Sequence, residues 1–304
     1  MRQLLLFTLA SLALTGAARS AETVDATPRI AVMSAFEPEW TALQAAMSDR
    51  REHVVNGRSF VTGSLEGHDA VLFLSGISMV NAAMTTQLAL DRFTVTRIVF
   101  SGIAGGVDPA LSIGDVVVPS RWGQYLEAVF ARETADGWRL PSFYERRFPN
   151  YEMIFPQPVE VAREGAAEPE ERFWFPVDEG MLDVARTAVG AVELESCADE
   201  ARCLERAPRV TVGGNGVSGQ AFVDNAAFRE FTFRTFEARV LDMESAAVAH
   251  VAYANDVPFI AFRSLSDLAG GESGENELRT FFQLAADNSA TVVHAFLKAL
   301  AAAD

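Results

Sequence analysis

The chain has 304 residues, 49% hydrophobic and 22% charged, enough apolar mass for one large core or two smaller ones and too much for a disordered polymer. Lys and Arg number 25 against 41 Asp and Glu, and the formal charge of -16 opposes attraction to a phosphate backbone or an anionic membrane, so nucleic acid is not an expected partner. Four His and two Cys, with no HxH or HExxH spacing around His53, His68, His250 or His294, argue against a protein-ligated metal.

Met1-Arg2-Gln3 precedes a run from Leu4 to Leu14 in which only Thr8 and Ser11 are polar, followed by small residues through Ala-Arg-Ser-Ala. That order matches a secretory signal peptide better than a membrane span, which needs about 20 apolar residues. The expected signal is residues 1–21, cut after Ser20 or Ala21, leaving residues 22–304 in a secreted or periplasmic space with no membrane attachment.

Short apolar runs of strand length then alternate with stretches of helical spacing. The strands expected are 29–33, 70–74, 97–100, 115–119, 240–243 and 258–264; the helices are Pro38–Met47, Val80–Asp91, Met181–Val189, Ala226–Thr235, Ser245–Ala254 and Glu277–Ala301. This alternation predicts an α/β fold of three layers, α/β/α, around a mixed, mostly parallel central sheet. Residues 125–209 break the rhythm with Pro, acids and aromatics, and read as an irregular insertion in one domain. Within it Cys197 and Cys203 flank a short polar loop, and in an oxidising compartment such a pair is expected to be bridged.

Ligands of open α/β sheets bind beyond the carboxyl ends of strands. There the chain carries Glu39 after the first strand, a glycine turn from Gly102 to Gly106 after the third, Glu244 after 240–243, and Ser266-Asp267 after 258–264. Acids in a helix's first turn are favoured by its dipole whatever the function, and Asp267 alone could cap a turn. Together they read as three carboxylates converging on one cleft, with Arg263 offsetting part of their repulsion. Gly102-x-x-Gly105-Gly106 is not a dinucleotide fingerprint, and Gly216-Val217-Ser218-Gly219 is not a nucleophile elbow. No cofactor is expected.

These residues resemble the purine nucleoside and uridine phosphorylase superfamily, and within it the methylthioadenosine/S-adenosylhomocysteine nucleosidases. The resemblance rests on Ser34-Ala35-Phe36-Glu37-Pro38-Glu39, Ser75-Gly76-Ile77, Gly102-Ile103-Ala104-Gly105-Gly106 with Ile113-Gly114-Asp115, Asp242-Met243-Glu244-Ser245-Ala246-Ala247, and Arg263 through Asp267. Phe173-Trp174-Phe175-Pro176, the cysteine pair, Phe222-Val223-Asp224-Asn225 and Ser266-Asp267-Leu268-Ala269-Gly270-Gly271 look like the exported plant bark and vegetative storage proteins of the same superfamily.

The resemblance implies an N-ribosyl hydrolase acting on purine nucleosides, as a homodimer. Asp267 would protonate the base at N7 and Ser266 would steady it. Glu244 would bind the ribose hydroxyls above Met243, and Glu39, held by Arg263, would activate water. Phe222 would stack on the base and the Val223 backbone would read its edge. Gly105 would allow close approach, while Ile103 stands where the family often has Ser or Thr. Phosphorylases of the superfamily place Arg in the first strand-turn and before the glycine turn; here Glu39 and Phe100 stand there, so water is favoured over phosphate as acceptor. A phosphorylase, and a nucleoside-binding storage protein with little turnover, are the alternatives.

Overall fold

The computed structural model describes residues 23–303; the expected signal peptide lies outside the described residues. Twelve strands form the central sheet: β1 (Asp25–Ser34), β2 (Ser48–Val55), β3 (Arg58–Leu65), β4 (His68–Leu74), β5 (Phe93–Gly106), β6 (Val116–Val118), β7 (Arg121–Gln124), β8 (Trp174–Pro176), β9 (Val210–Val212), β10 (Asn215–Ser218), β11 (Ala238–Asp242) and β12 (Phe259–Asp267). The helices are α1 (Glu37–Ala46), α2 (Met79–Arg92), α3 (Glu179–Ala188), α4 (Ala226–Phe236), α5 (Ser245–Ala254) and α6 (Leu278–Ala303).

Parallel pairings of β1 with β4 and β5, and of β5 with β12, carry the centre of the sheet. Their inner residues, such as Val32, Leu72, Val99 and Ile260, are fully buried, as expected of strands covered on both faces. Antiparallel pairs flank that centre: β2 with β3, β3 with β4, β12 with β6, and β8 with β7. Helices α1, α3 and α6 pack together as one layer and α2 with α5 as the other.

Three expectations are corrected. The glycine segment Gly102–Gly106 is not a turn: it continues β5, because Gly102 through Gly105 pair with β12, and Gly105 and Gly106 also pair with β11. β12 likewise runs on through Asp267, three residues past the expected end at 264, and Asp267 Oδ1 also caps the turn that follows by accepting from Ala269 N–H. Residues 48–65, for which no strand was expected, form the β2–β3 hairpin at the sheet's edge. Its polar outer strand, SDRREHVV, shows no apolar alternation because almost every residue faces solvent.

Part of the 125–209 stretch is integral to the main body. β8 joins the sheet through β7, and α3, capped by Asp178 accepting from the Met181 N–H at 2.8 Å, packs on α6. The remainder forms small two-stranded ribbons, one of them closed by a Cys197–Cys203 disulfide. A second aromatic core, with Tyr125, Phe173, Val217, Val223 and Phe236, anchors α4 and the segment before it. Among the described residues no helix is long and apolar enough to cross a membrane.

Candidate active site

The carboxyl ends of β1, β5, β11 and β12 open onto a cavity of about 450 Å³, a size suited to a small organic ligand. Glu39, Glu244 and Asp267 all line it, together with Ile103, Gly105, Phe222, Val223, Met243 and Ser266. Arg263 does not: it is fully buried behind the lining. The rest of the wall is mainly apolar, from Phe36, Pro38, Ile77, Leu241, Leu278 and Phe282.

Glu39 occupies the third position of α1, where its carboxylate turns back on the helix entry. Oε2 accepts from the N–H groups of Ala35 (2.6 Å) and Phe36 (3.3 Å), and Oε1 from Ile103 N–H (2.9 Å). Reaching back to the residue before the helix is half of a capping box. The third bond ties α1 to β5 and uses only the backbone of Ile103, whose side chain adds apolar wall. Burial pushes the Glu39 carboxyl above 4.5, opposed by Arg263 and these three donors.

Arg263 holds Glu39 less directly than expected. Its Nε lies 2.8 Å from Oδ2 of Asp242 and donates to Ser245 Oγ at 2.9 Å, whereas Glu39 Oε1 and Glu244 Oε2 each stand 4.0 Å from a guanidinium nitrogen. Glu39 is fixed mainly by backbone amides, and Asp242 is the closest partner of the arginine. The guanidinium lies 4.0 Å above the Phe100 ring, which serves as a platform for the cation. Gly102, opposite Arg263 in the β5–β12 register, leaves the space: a Cβ there would stand 1.8 Å from Nη1.

One cation thus faces Glu39, Asp242 and Glu244 in a buried volume. Asp242 is further held by Ser218 Oγ and by the N–H groups of Glu244 (3.2 Å) and Ser245 (3.1 Å), which start α5. Glu244 accepts from Ser78 N–H at 2.7 Å. Ser78 has φ 87°, a left-handed conformation that a serine adopts at some cost, and it aims that N–H into the site. Arg58 of β3 steadies the turn through the Ser75 carbonyl (3.3 Å) and Asn81 Oδ1 (3.2 Å). Burial and the neighbouring Asp242 push the Glu244 carboxyl up to about 8.

Asp267 ends β12 across the cavity. Ser266 Oγ donates to its Oδ2 (2.9 Å) and Ala269 N–H to its Oδ1 (2.9 Å). Burial raises this carboxyl above 3.8, with the two hydrogen bonds opposing. Gly105 stands beside it, where a Cβ would come within 3.1 Å of Oδ1. Phe222 is 56% exposed and Val223 buried at the same cavity. Sequence reasoning missed Asp242 as the arginine's partner, the Ser78 amide, and Leu278, Arg279 and Phe282 of α6. Asp242 stood within a quoted motif; the others carry no local signal.

Residues 29–300 match the model of the phosphorylase superfamily. The chain is 30% identical to the 5'-methylthioadenosine/S-adenosylhomocysteine nucleosidase of Mycobacterium tuberculosis over 273 residues, covering 90% of this chain and 98% of the relative. It is 32% identical to that of Geobacillus thermodenitrificans over 270 residues, 88% and 96% of the two chains. The chain belongs to the phosphorylase superfamily, within its nucleosidases. The Neisseria meningitidis nucleosidase, solved with methylthio-immucillin-A, superposes with a TM-score of 0.64 at 27% identity, covering 89% of this chain and 98% of that one. Such relatives are N-glycosyl hydrolases, and the nucleosidase fold places the three carboxylates of this chain around one cavity.

Proposed function

We propose that this protein is an exported hydrolase of the N-glycosidic bond of purine nucleosides of the methylthioadenosine, S-adenosylhomocysteine or adenosine type. The observation that carries the reading is the convergence of Glu39, Glu244 and Asp267, all buried, on one largely apolar cavity. Asp267, whose carboxyl burial shifts towards its protonated form, gives a proton to N7 as the C1'–N9 bond breaks and the bond's electron pair leaves with the base. Phe222 stacks on that base and the Val223 backbone reads its edge.

Glu244 receives the ribose hydroxyls over Met243. Hydroxyl donors and the positive charge growing on the sugar both favour its ionised form, so its stabilisation strengthens towards the transition state. Glu39 takes a proton from the water that adds to C1', with Arg263 lending positive charge to both glutamates from behind. The products are free base and free sugar. Asp267 is left ionised and Glu39 protonated, and return of that proton resets the site.

Water is the acceptor because the first strand-turn offers Glu39, not a cation, and Phe100 carries Arg263. The Cys197–Cys203 bridge supports the export reading, since such a bond persists in oxidising compartments. The homodimer reading is supported by Ile77, Val80 and Met84, exposed apolar residues beside or along α2, of which Ile77 also lines the cavity.

A panel of purine and pyrimidine nucleosides, each with and without phosphate, tests the chemistry. Turnover of a purine nucleoside in phosphate-free buffer is expected, and Asp267→Asn should slow it by about 10²–10⁴. Activity that needs phosphate would make the chain a phosphorylase; binding without product would make it the storage-type protein its middle segment resembles. N-terminal sequencing of the mature chain tests export, and sedimentation tests the dimer.

A further inference from the structure

Among the described residues the cavity wall carries one cationic side chain, Arg279, which the chemistry above leaves unused. Arg279 stands in the first turn of α6, where the helix dipole opposes a cation and no residue of that turn is acidic; Glu277 directly precedes the helix. The side chain is exposed and forms no hydrogen bond or ion pair among the described residues.

Its position follows from the sheet. β1 and β12 both run parallel to β5, so α1 and α6, which follow them, begin at the same edge of the sheet. With Asp267, Phe222 and Val223 given to the base, and Glu244 and Met243 to the sugar, the wall left over is apolar: Phe36, Pro38, Ile77, Leu278 and Phe282. Arg279 is exposed and lines the same wall, next to Leu278 at the start of α6.

We propose that this arm takes the 5' substituent of the nucleoside and that Arg279 pairs with an anion at its far end, a carboxylate or a phosphate. The inference rests on the hydrolase reading and narrows its substrate class to anion-terminated purine nucleosides. A guanidinium matches either group with two parallel hydrogen bonds. In a chain of net charge -16, whose cavity is lined by Glu39, Asp242, Glu244 and Asp267, Arg279 is the group on the wall whose charge favours an anionic terminus.

The test compares kcat/KM for S-adenosylhomocysteine, adenosine 5'-monophosphate and neutral methylthioadenosine in the wild type and in Arg279→Gln. The same ligands are titrated calorimetrically into Asp267→Asn and the Asp267→Asn/Arg279→Gln double variant. Preference for a ligand that ends in a carboxylate (the zwitterionic tail of S-adenosylhomocysteine) or a phosphate over methylthioadenosine should fall on the order of tenfold when Arg279 is replaced, and added salt should erode it in the wild type alone. Loss confined to S-adenosylhomocysteine assigns the carboxylate; loss confined to the monophosphate assigns the phosphate. Equal losses on all three ligands, or an unchanged ratio, overturn the proposal. An Arg279-dependent preference in binding without turnover of any ligand would uphold it while removing the hydrolase reading, and binding of none would remove both.

Discussion

Replacing Glu244 by Gln should make the protein less sensitive to alkaline pH. In the folded chain this carboxyl is pushed from 4.5 to about 8, by burial first and by Asp242 second. The folded state therefore holds a proton that the unfolded state releases near 4.5, and stability must fall as pH rises between the two values. Below 4.5 both states are protonated and nothing is lost; above about 8 the full difference is lost. That gap, at 1.36 kcal/mol per pH unit, corresponds to about 5 kcal/mol. Gln is neutral throughout and its amide oxygen can still accept from Ser78 N–H, so the variant lacks this loss. Glu39 and Asp267, also raised, titrate in both proteins and largely cancel in the difference. Thermal or urea unfolding of both proteins from pH 4.5 to 9 reads the effect. The midpoint of the variant should gain on the wild type by on the order of 10 °C across that range. Parallel curves would mean that the Glu244 carboxylate is ionised without cost, and would refute the claim that burial beside Asp242 raises it.

Gly102→Ala should disable the enzyme, since its Cβ would stand 1.8 Å from Arg263 Nη1 and 2.8 Å from Glu39 Oε1, and the buried guanidinium has no free space. About 1–3 kcal/mol of stability and most turnover should go, measurable by urea titration and steady-state rates; a variant with wild-type kinetics would show that the arginine's placement is irrelevant. The pH–rate profile should have an acid limb above pH 4.5, where Glu39 gains its proton, and an alkaline limb as Asp267 loses the proton it must donate. Asp267→Asn should flatten only the alkaline limb. Replacing Cys197 and Cys203 by Ser frees a six-residue separation and should cost about 2 kcal/mol by loop closure, seen in unfolding with little change in kcat.

Much of this site could be read from the chain alone, because an α/β sheet obliges the residues just past its buried strands to share one edge. Glu39, Glu244 and Asp267 were found by that rule, and the apolar runs that mark β1, β4 and β12 were plain. The edge hairpin was not, since β2 is bathed in solvent and burial leaves no pattern on it. Gly102–Gly106 misled for the opposite reason: local preference favours a turn, but β11 and β12 supply the pairing that keeps it extended.

The order of residues along the chain dictates which chemical groups exist and which strand ends deliver them. Their partners come from the folded arrangement. Register sets Gly102 against Arg263, the fold brings Asp242 rather than Glu39 to the arginine's Nε, and a strained Ser78 delivers its amide to Glu244 across 166 positions of chain. Those contacts join distant segments, so no local pattern encodes them, and the energy of each charge depends on the burial that their assembly creates.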